Sequence, residues 1–200
     1  MKPEDIGLAY NTLTDLWEGN NFNRDNGIAQ HKRAIPFATN HRLALDVGCG
    51  STGRFIDLLL TNGFSPQGVD ISTEMIRLAR LRHPDITFHQ QDICNWVLPD
   101  KYDFISAWDS IWHVPLERQA AVLSKLFNSL NPGGVCIFSG GGTDKPDDHK
   151  DSTMGTDVYY STLGITGFLT VIEQSGCICR HLEYDQHPEL HCYFIVQKIG

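Results

Sequence analysis

The feature that most constrains this sequence is a glycine-punctuated turn closing a short apolar run, Leu43-Ala-Leu-Asp-Val-Gly-Cys-Gly-Ser-Thr-Gly53. Gly48, Gly50 and Gly53 fall in G-x-G-x-x-G spacing. Glycine at such places lets the backbone turn sharply from strand to helix and come close to a bound ligand. On its own the pattern equally suits a plain tight turn, so its surroundings decide. A helical pattern from Arg54 to Leu60 follows and is stopped by Gly63. Ser65 to Asp70 then reads as a second strand, Ser72 as the N-cap of the next helix and Glu74 as part of its first turn.

The alternation continues along the chain. Ile86–His89 and Phe104–Trp108 read as third and fourth strands, and Pro115 opens a helix running to about Leu130. Asn131-Pro-Gly-Gly134 is a turn signal before a fifth strand, Val135–Ser139. After Gly140 to Gly142 a polar insert extends as a loop through Thr156, and a helix follows near Ile165–Gln174. Cys177–Glu183 and His191–Gln197 are joined by a stretch too short for a parallel crossover, so they pair antiparallel. Upstream, Ile6, Ala9, Tyr10, Leu13 and Leu16 share one face of a helix from Pro3 to about Trp17, and a second helix spans about Ile28 to Phe37. The expected fold is α/β: a Rossmann-like, mainly parallel seven-stranded sheet with helices on both faces and a C-terminal antiparallel hairpin. We read positions 1–200 as one domain, with 1–40 as an N-terminal helical cap, 41–140 as the ligand-binding core and 141–200 as insert, helix and hairpin.

Two hundred residues, 41% hydrophobic and 20% charged, suffice for one core. A net charge of −8 offers no general positive field for a phosphate backbone or an anionic membrane. Pro3, Glu4 and Asp5 stand where a secretory leader would be basic and apolar, and no apolar run is long enough to span a bilayer. The expectation is a cytoplasmic protein with no nucleic-acid or membrane partner. The six cysteines lack paired spacing, Asp147, Asp148, His149 and Asp151 read as a solvated loop, and Pro188 opposes a helix aligning His187 with His191, so no metal site is expected.

Asp70 ends the second strand where an acid commonly meets ribose hydroxyls, which suits any adenosine-containing ligand. Asp46, two residues before the first glycine, would repel a pyrophosphate and suit a ligand carrying an ammonium and a sulfonium. The stretch Leu43–Gly53, Gly-Val-Asp-Ile-Ser at 68–72, Gln-Asp-Ile at 91–93 and Asn-Pro-Gly-Gly at 131–134 together resemble the class I S-adenosylmethionine-dependent methyltransferases, over about Leu43 to Phe138. The resemblance implies S-adenosylmethionine as cofactor. Asp46, Gly48 and Gly50 would lie along its methionine part, Asp70 would hold the ribose, Asp92 the adenine amine, and Ile71 and Ile93 would flank the adenine, with Cys49, Met75 and Trp108 as further cofactor-binding residues.

Methyl transfer is a direct displacement in which positioning supplies much of the catalysis. His113, after the fourth strand, is the leading candidate base, with packing beside the cofactor as its alternative role, and Asp109 is the second candidate. Tyr10, Trp17, Tyr159 and Tyr160 are candidates for the acceptor pocket, with core packing as the plain reading of Tyr10 and Trp17. The acceptor itself is expected to be a small molecule. An NAD-dependent oxidoreductase and a non-catalytic S-adenosylmethionine-binding protein are the competing functions.

Overall fold

The computed structural model describes all residues from Met1 to Gly200. Strands β1 (Leu43–Val47), β2 (Ser65–Asp70), β3 (Thr87–Gln90), β4 (Tyr102–Ala107) and β5 (Leu130–Gly141) pair in parallel. A separate hairpin is made by β6 (Asp147–Asp151) and β7 (Val158–Thr162), and β8 (Cys177–Glu183) and β9 (His191–Lys198) complete the main sheet antiparallel. The main sheet has seven strands in the order β3-β2-β1-β4-β5-β9-β8, the expected Rossmann-like arrangement. The chain leaves β1 toward β2 on one side and resumes at β4 on the other, so a crevice opens at the carboxyl ends of these strands.

Helices α1 (Pro3–Thr12), α2 (Thr14–Glu18) and α3 (Ile28–Ala34) precede the sheet. Helices α4 (Arg54–Thr61), α5 (Thr73–Arg82) and α6 (Leu116–Asn128) cross between parallel strands, and α7 (Gly164–Gln174) precedes β8. Strand alternation divides the core. Leu45, Ile105, Phe138 and Phe194 pack on one face with Leu123, Phe127 and Phe168 of α6 and α7. Ala44, Phe104, Ile137 and Ile195 pack on the other with Ala34, Phe55 and Leu59 of α3 and α4. Each such fully buried large side chain stabilises the fold by about 1.5–3 kcal/mol. No helix is long and apolar enough to cross a membrane.

Three departures from the sequence reading have local causes. The expected first helix breaks at Leu13, because the Thr12 hydroxyl takes the Ala9 carbonyl and the Leu13 amide falls back on Tyr10. Asn131 to Gly134 lie inside β5 as an irregularity, with Tyr102 paired to Leu130 and Phe104 to Val135. The insert is a hairpin rather than a loop: β6 is almost wholly exposed and carries no apolar alternation, and its backbone ladder to the buried β7 holds it. Asp147, Asp148, His149 and Asp151 therefore belong to a strand, and Tyr159 and Tyr160 sit on its partner.

Candidate active site

The registers of β2, β1, β4 and β5 place Gly68, Asp46, Ser106 and Ile137 in one row. That row faces α3 and α4, and Asp46 is 2% exposed within it. Burial raises its carboxyl to about 7, against the pull of Arg54 and a hydrogen bond from Ser106. The next row, Val47 and Val69, faces the opposite way and forms the floor of a cavity at the carboxyl ends of β1 and β2.

Gly48 opens the turn with φ +70, and a Cβ built there would stand 2.3 Å from Ser110 Cβ, so only glycine admits this approach. Asp70 closes the turn: its Oδ2 accepts from the Gly50 amide at 3.0 Å and its Oδ1 from the Ser72 amide at 2.8 Å. Burial raises its carboxyl, and these amides pull the other way. Asp92 lines the far end of the cavity while its Oδ1 accepts from the Cys94 amide at 2.8 Å, so it caps its own turn as well. Ile71 and Ile93 also line the wall. Ile6 and Tyr10 of α1 cover the opening, where Gly7 packs against Ile71. Helix α1 is tied down because Asn11 Oδ1 accepts from both the Ser72 hydroxyl and the Glu74 amide.

His113 lies on the same wall. Its Nδ1 donates to the Tyr159 carbonyl at 2.8 Å, which fixes the tautomer and leaves Nε2 as the acceptor. Nε2 then receives the Tyr10 hydroxyl at 2.6 Å and the Trp112 indole N–H at 3.0 Å. Burial pushes the imidazole down to about 4, so it is neutral at physiological pH. Tyr10 is likewise desolvated, and its phenol is pushed far above the ordinary value. His113 is thus engaged on both nitrogens, and its proton-accepting atom addresses Tyr10 rather than the cavity.

Asp109 follows β4 with φ +52, an uncommon backbone state for a residue with a side chain. Its carboxylate accepts from Ser139 Oγ at 3.0 Å and His191 Nε2 at 3.1 Å on one oxygen, and from Asn26 Nδ2 at 3.1 Å on the other. The other nitrogen of His191 lies 2.5 Å from Asp185 Oδ1, and Gln30 donates to that residue's second oxygen.

Other candidates sit elsewhere. Cys49 packs with Ile56, Ile76 and Phe88, Met75 is 1% exposed on the inner face of α5, and Trp108 belongs to the α3/α4 side of the core. None of the three reaches the cavity wall. Strand and helix alternation turns them inward, a direction that proximity in sequence to the glycine turn does not reveal. Trp17 packs on Tyr10 with ring centroids 5.2 Å apart, and Tyr160 lies 4.9 Å from the His113 ring. Tyr159 is an anchor: beyond holding His113, its hydroxyl accepts from the Leu116 amide.

Sequence reasoning gave no site role to Ser110, Asn26, Ser139 or Asp185, and weighed His191 only as a metal ligand. Ser110 adjoins the recognised motifs, lines the cavity, and its buried Oγ has no partner. The others come from three segments far apart in the chain, the N-terminal loop, β5 and the β8–β9 turn with the start of β9.

Residues 44–134 match a family model described as a methyltransferase domain. The chain is 28% identical over 120 residues to the ubiquinone biosynthesis O-methyltransferase of Psychrobacter arcticus, an alignment covering 56% of this chain and 45% of that protein. It is 35% identical over 105 residues to the trans-aconitate 2-methyltransferase of Rhodopseudomonas palustris, covering 50% and 39% respectively. The matched stretch is thus about half the length of these relatives or less. An S-adenosylmethionine-dependent methyltransferase from Clostridium acetobutylicum shares the fold at a TM-score of 0.72 and 14% identity, covering 96% of this chain and all of that one.

Proposed function

We propose that this chain carries a class I S-adenosylmethionine-dependent methyltransferase domain and transfers the methyl group of S-adenosylmethionine to a small-molecule acceptor by direct displacement. The observation that carries the reading is the charge of the cavity: Asp70, Asp92 and Asp109 stand on its wall, and no lysine or arginine does. A pyrophosphate there would meet three carboxylates and no cationic side chain, at a cost of about 3 kcal/mol for each pair of unit charges 6 Å apart at an effective dielectric of 20. An ammonium and a sulfonium would be attracted. The unpartnered Ser110 hydroxyl beside Gly48 offers a ready hydrogen bond to such a ligand. The named relatives act on small molecules, which supports the same class of acceptor.

Bound S-adenosylmethionine supplies an electrophilic methyl carbon on a sulfonium leaving group. The protein's part is to hold ligand and acceptor and to take up one proton. Asp70 would hold the ribose hydroxyls, Asp92 the adenine amine, and Ile71 and Ile93 would flank the base. A nucleophile bearing a proton forms its bond to the methyl carbon as the carbon–sulfur electron pair stays on sulfur. Tyr10 oxygen receives the nucleophile's proton while passing its own to His113 Nε2. One positive charge leaves sulfur and one appears on the imidazole, so the buried site keeps its net charge. This assigns His113 the role of base through Tyr10, and Asp109 that of a fixed negative charge on the wall.

The test is calorimetric titration with S-adenosylhomocysteine and, in parallel, NAD, followed by a mass-spectrometric screen of small hydroxyl and amine acceptors. Binding of S-adenosylhomocysteine with a methylated product supports the proposal. Binding of NAD in its place would replace this reading with the oxidoreductase, and cofactor binding with no product from any acceptor class would favour a binding protein.

A further inference from the structure

His191 is buried at 8% exposure, and each ring nitrogen faces a carboxylate oxygen: Nδ1 to Asp185 at 2.5 Å and Nε2 to Asp109 at 3.1 Å. Ionised carboxylates only accept hydrogen bonds. A neutral imidazole carries one N–H and would leave one of these contacts as lone pair against lone pair. The imidazolium satisfies both. Trp108 and Trp112 flank the ring, with centroids 5.4 and 5.6 Å away.

The two acids differ in place. Asp185 belongs to the turn before β9 and its side chain is 6% exposed. Asp109 is on the cavity wall, held in its uncommon backbone state by Ser139, Asn26 and His191, which lie 30, 83 and 82 positions away. Whatever charge His191 carries is therefore felt at the cavity through Asp109.

We propose that His191, as an imidazolium clamped between Asp185 and Asp109, positions the Asp109 carboxylate and sets how much negative charge the cavity presents to a bound sulfonium. This rests on the methyl-transfer reading above. With His191 protonated the three side chains carry one net negative charge, and with it neutral they carry two. The cationic S-adenosylmethionine gains from that second charge and the neutral thioether of S-adenosylhomocysteine does not. His191 then tunes the balance between substrate and product.

Burial lowers the His191 imidazole, but the hydrogen bonds it donates to both acids outweigh that and raise it above its ordinary value. Facing it are Asp185 from the β8–β9 turn and Asp109 from the end of β4. The Asp109 carboxylate in turn acts on Arg54 of α4, His31 of α3, His113 and Tyr10, with an upward pull on each of them. Cys192, next on β9, is pushed up to about 12 by burial and stays a thiol.

The experiment measures the affinities of S-adenosylmethionine and S-adenosylhomocysteine from pH 6 to 8.5 for the wild-type chain, His191→Gln and Asp185→Asn, with the His191 ring followed by 15N NMR. In the wild-type chain the affinity ratio of sulfonium to thioether should rise by about fivefold more than in His191→Gln as pH increases through the NMR midpoint of His191. Asp185→Asn should move both midpoint and rise to lower pH. The same pH course in all three chains, or a His191 ring that is neutral at pH 7, overturns the inference. Failure of the wild-type chain to bind either ligand would remove the methyl-transfer reading instead, a distinct result.

Discussion

The Tyr10 hydroxyl lies 2.6 Å from His113 Nε2 across 103 positions of sequence. The contact joins helix α1 to the turn after β4, and it defines a clean test of the proposed proton relay. Tyr10→Phe keeps the ring that packs on Trp17 and His113 and removes only the hydroxyl. Turnover of an acceptor that bears a proton should fall by about 100-fold, within the range for general acid–base catalysis, with S-adenosylhomocysteine affinity changed by no more than about threefold. Unaltered turnover in the variant would falsify the relay.

His113→Ala acts more broadly. It removes the tie to the Tyr159 carbonyl and leaves the Tyr10 hydroxyl without its acceptor in a buried place. Loss of about 1–3 kcal/mol of stability should accompany the loss of turnover, read as a lower urea midpoint at unchanged slope. A variant as stable as the wild type would mean that these contacts form with water as readily as with His113.

Asp70 carries two tasks. Its carboxylate holds the Gly50 and Ser72 amides, and it is the group proposed to hold the ribose. Asp70→Ala should therefore weaken S-adenosylhomocysteine by about 100-fold or more, because the hydroxyls lose a charged acceptor and the turn loses its tie. Calorimetry of the variant decides this, and an affinity equal to the wild type would move the ribose elsewhere in the cavity.

The turn between β1 and α4 and the acid that closes it were legible because they depend on neighbours in sequence. A glycine turn after one strand and an acid ending the next are local signals, and the strand bounds Leu43–Val47 and Ser65–Asp70 follow from apolar runs and punctuation. What escaped is non-local. Asp109 meets Asn26, Ser139 and His191 only because β4, β5 and β9 lie side by side and the N-terminal loop folds over their ends. Direction was harder to read than position. Trp108 and Asp109 are adjacent in sequence, yet one joins the core behind the sheet and the other the cavity wall. The hairpin of β6 and β7 escaped for another reason: an exposed strand has no buried face to impose alternation on its residues.

The buried titrating groups make opposing demands on stability as pH falls. His31 is pushed down to about 3 and His113 to about 4, both chiefly by burial, so each is neutral in the folded chain below the pH of about 6.5 at which it charges when unfolded. The unfolded state then binds more protons, and stability falls with acid, by about 2 kcal/mol for each histidine at pH 5. Asp46 works in the other direction. With its carboxyl raised to about 7, the folded chain takes up a proton that the unfolded chain refuses until near pH 4, which returns about 2–3 kcal/mol between pH 7 and 5. Asp70, also raised by burial, adds to that side. The wild-type melting temperature should thus change little between pH 7 and 5. In Asp46→Asn the largest offset is gone and the histidines act with less opposition, so the melting temperature should drop by roughly 5–10 °C over the same interval. Calorimetric scans of both chains at pH 7, 6 and 5 measure this. Parallel curves would mean that Asp46 stays ionised in the folded protein throughout, with Arg54 and Ser106 outweighing its burial.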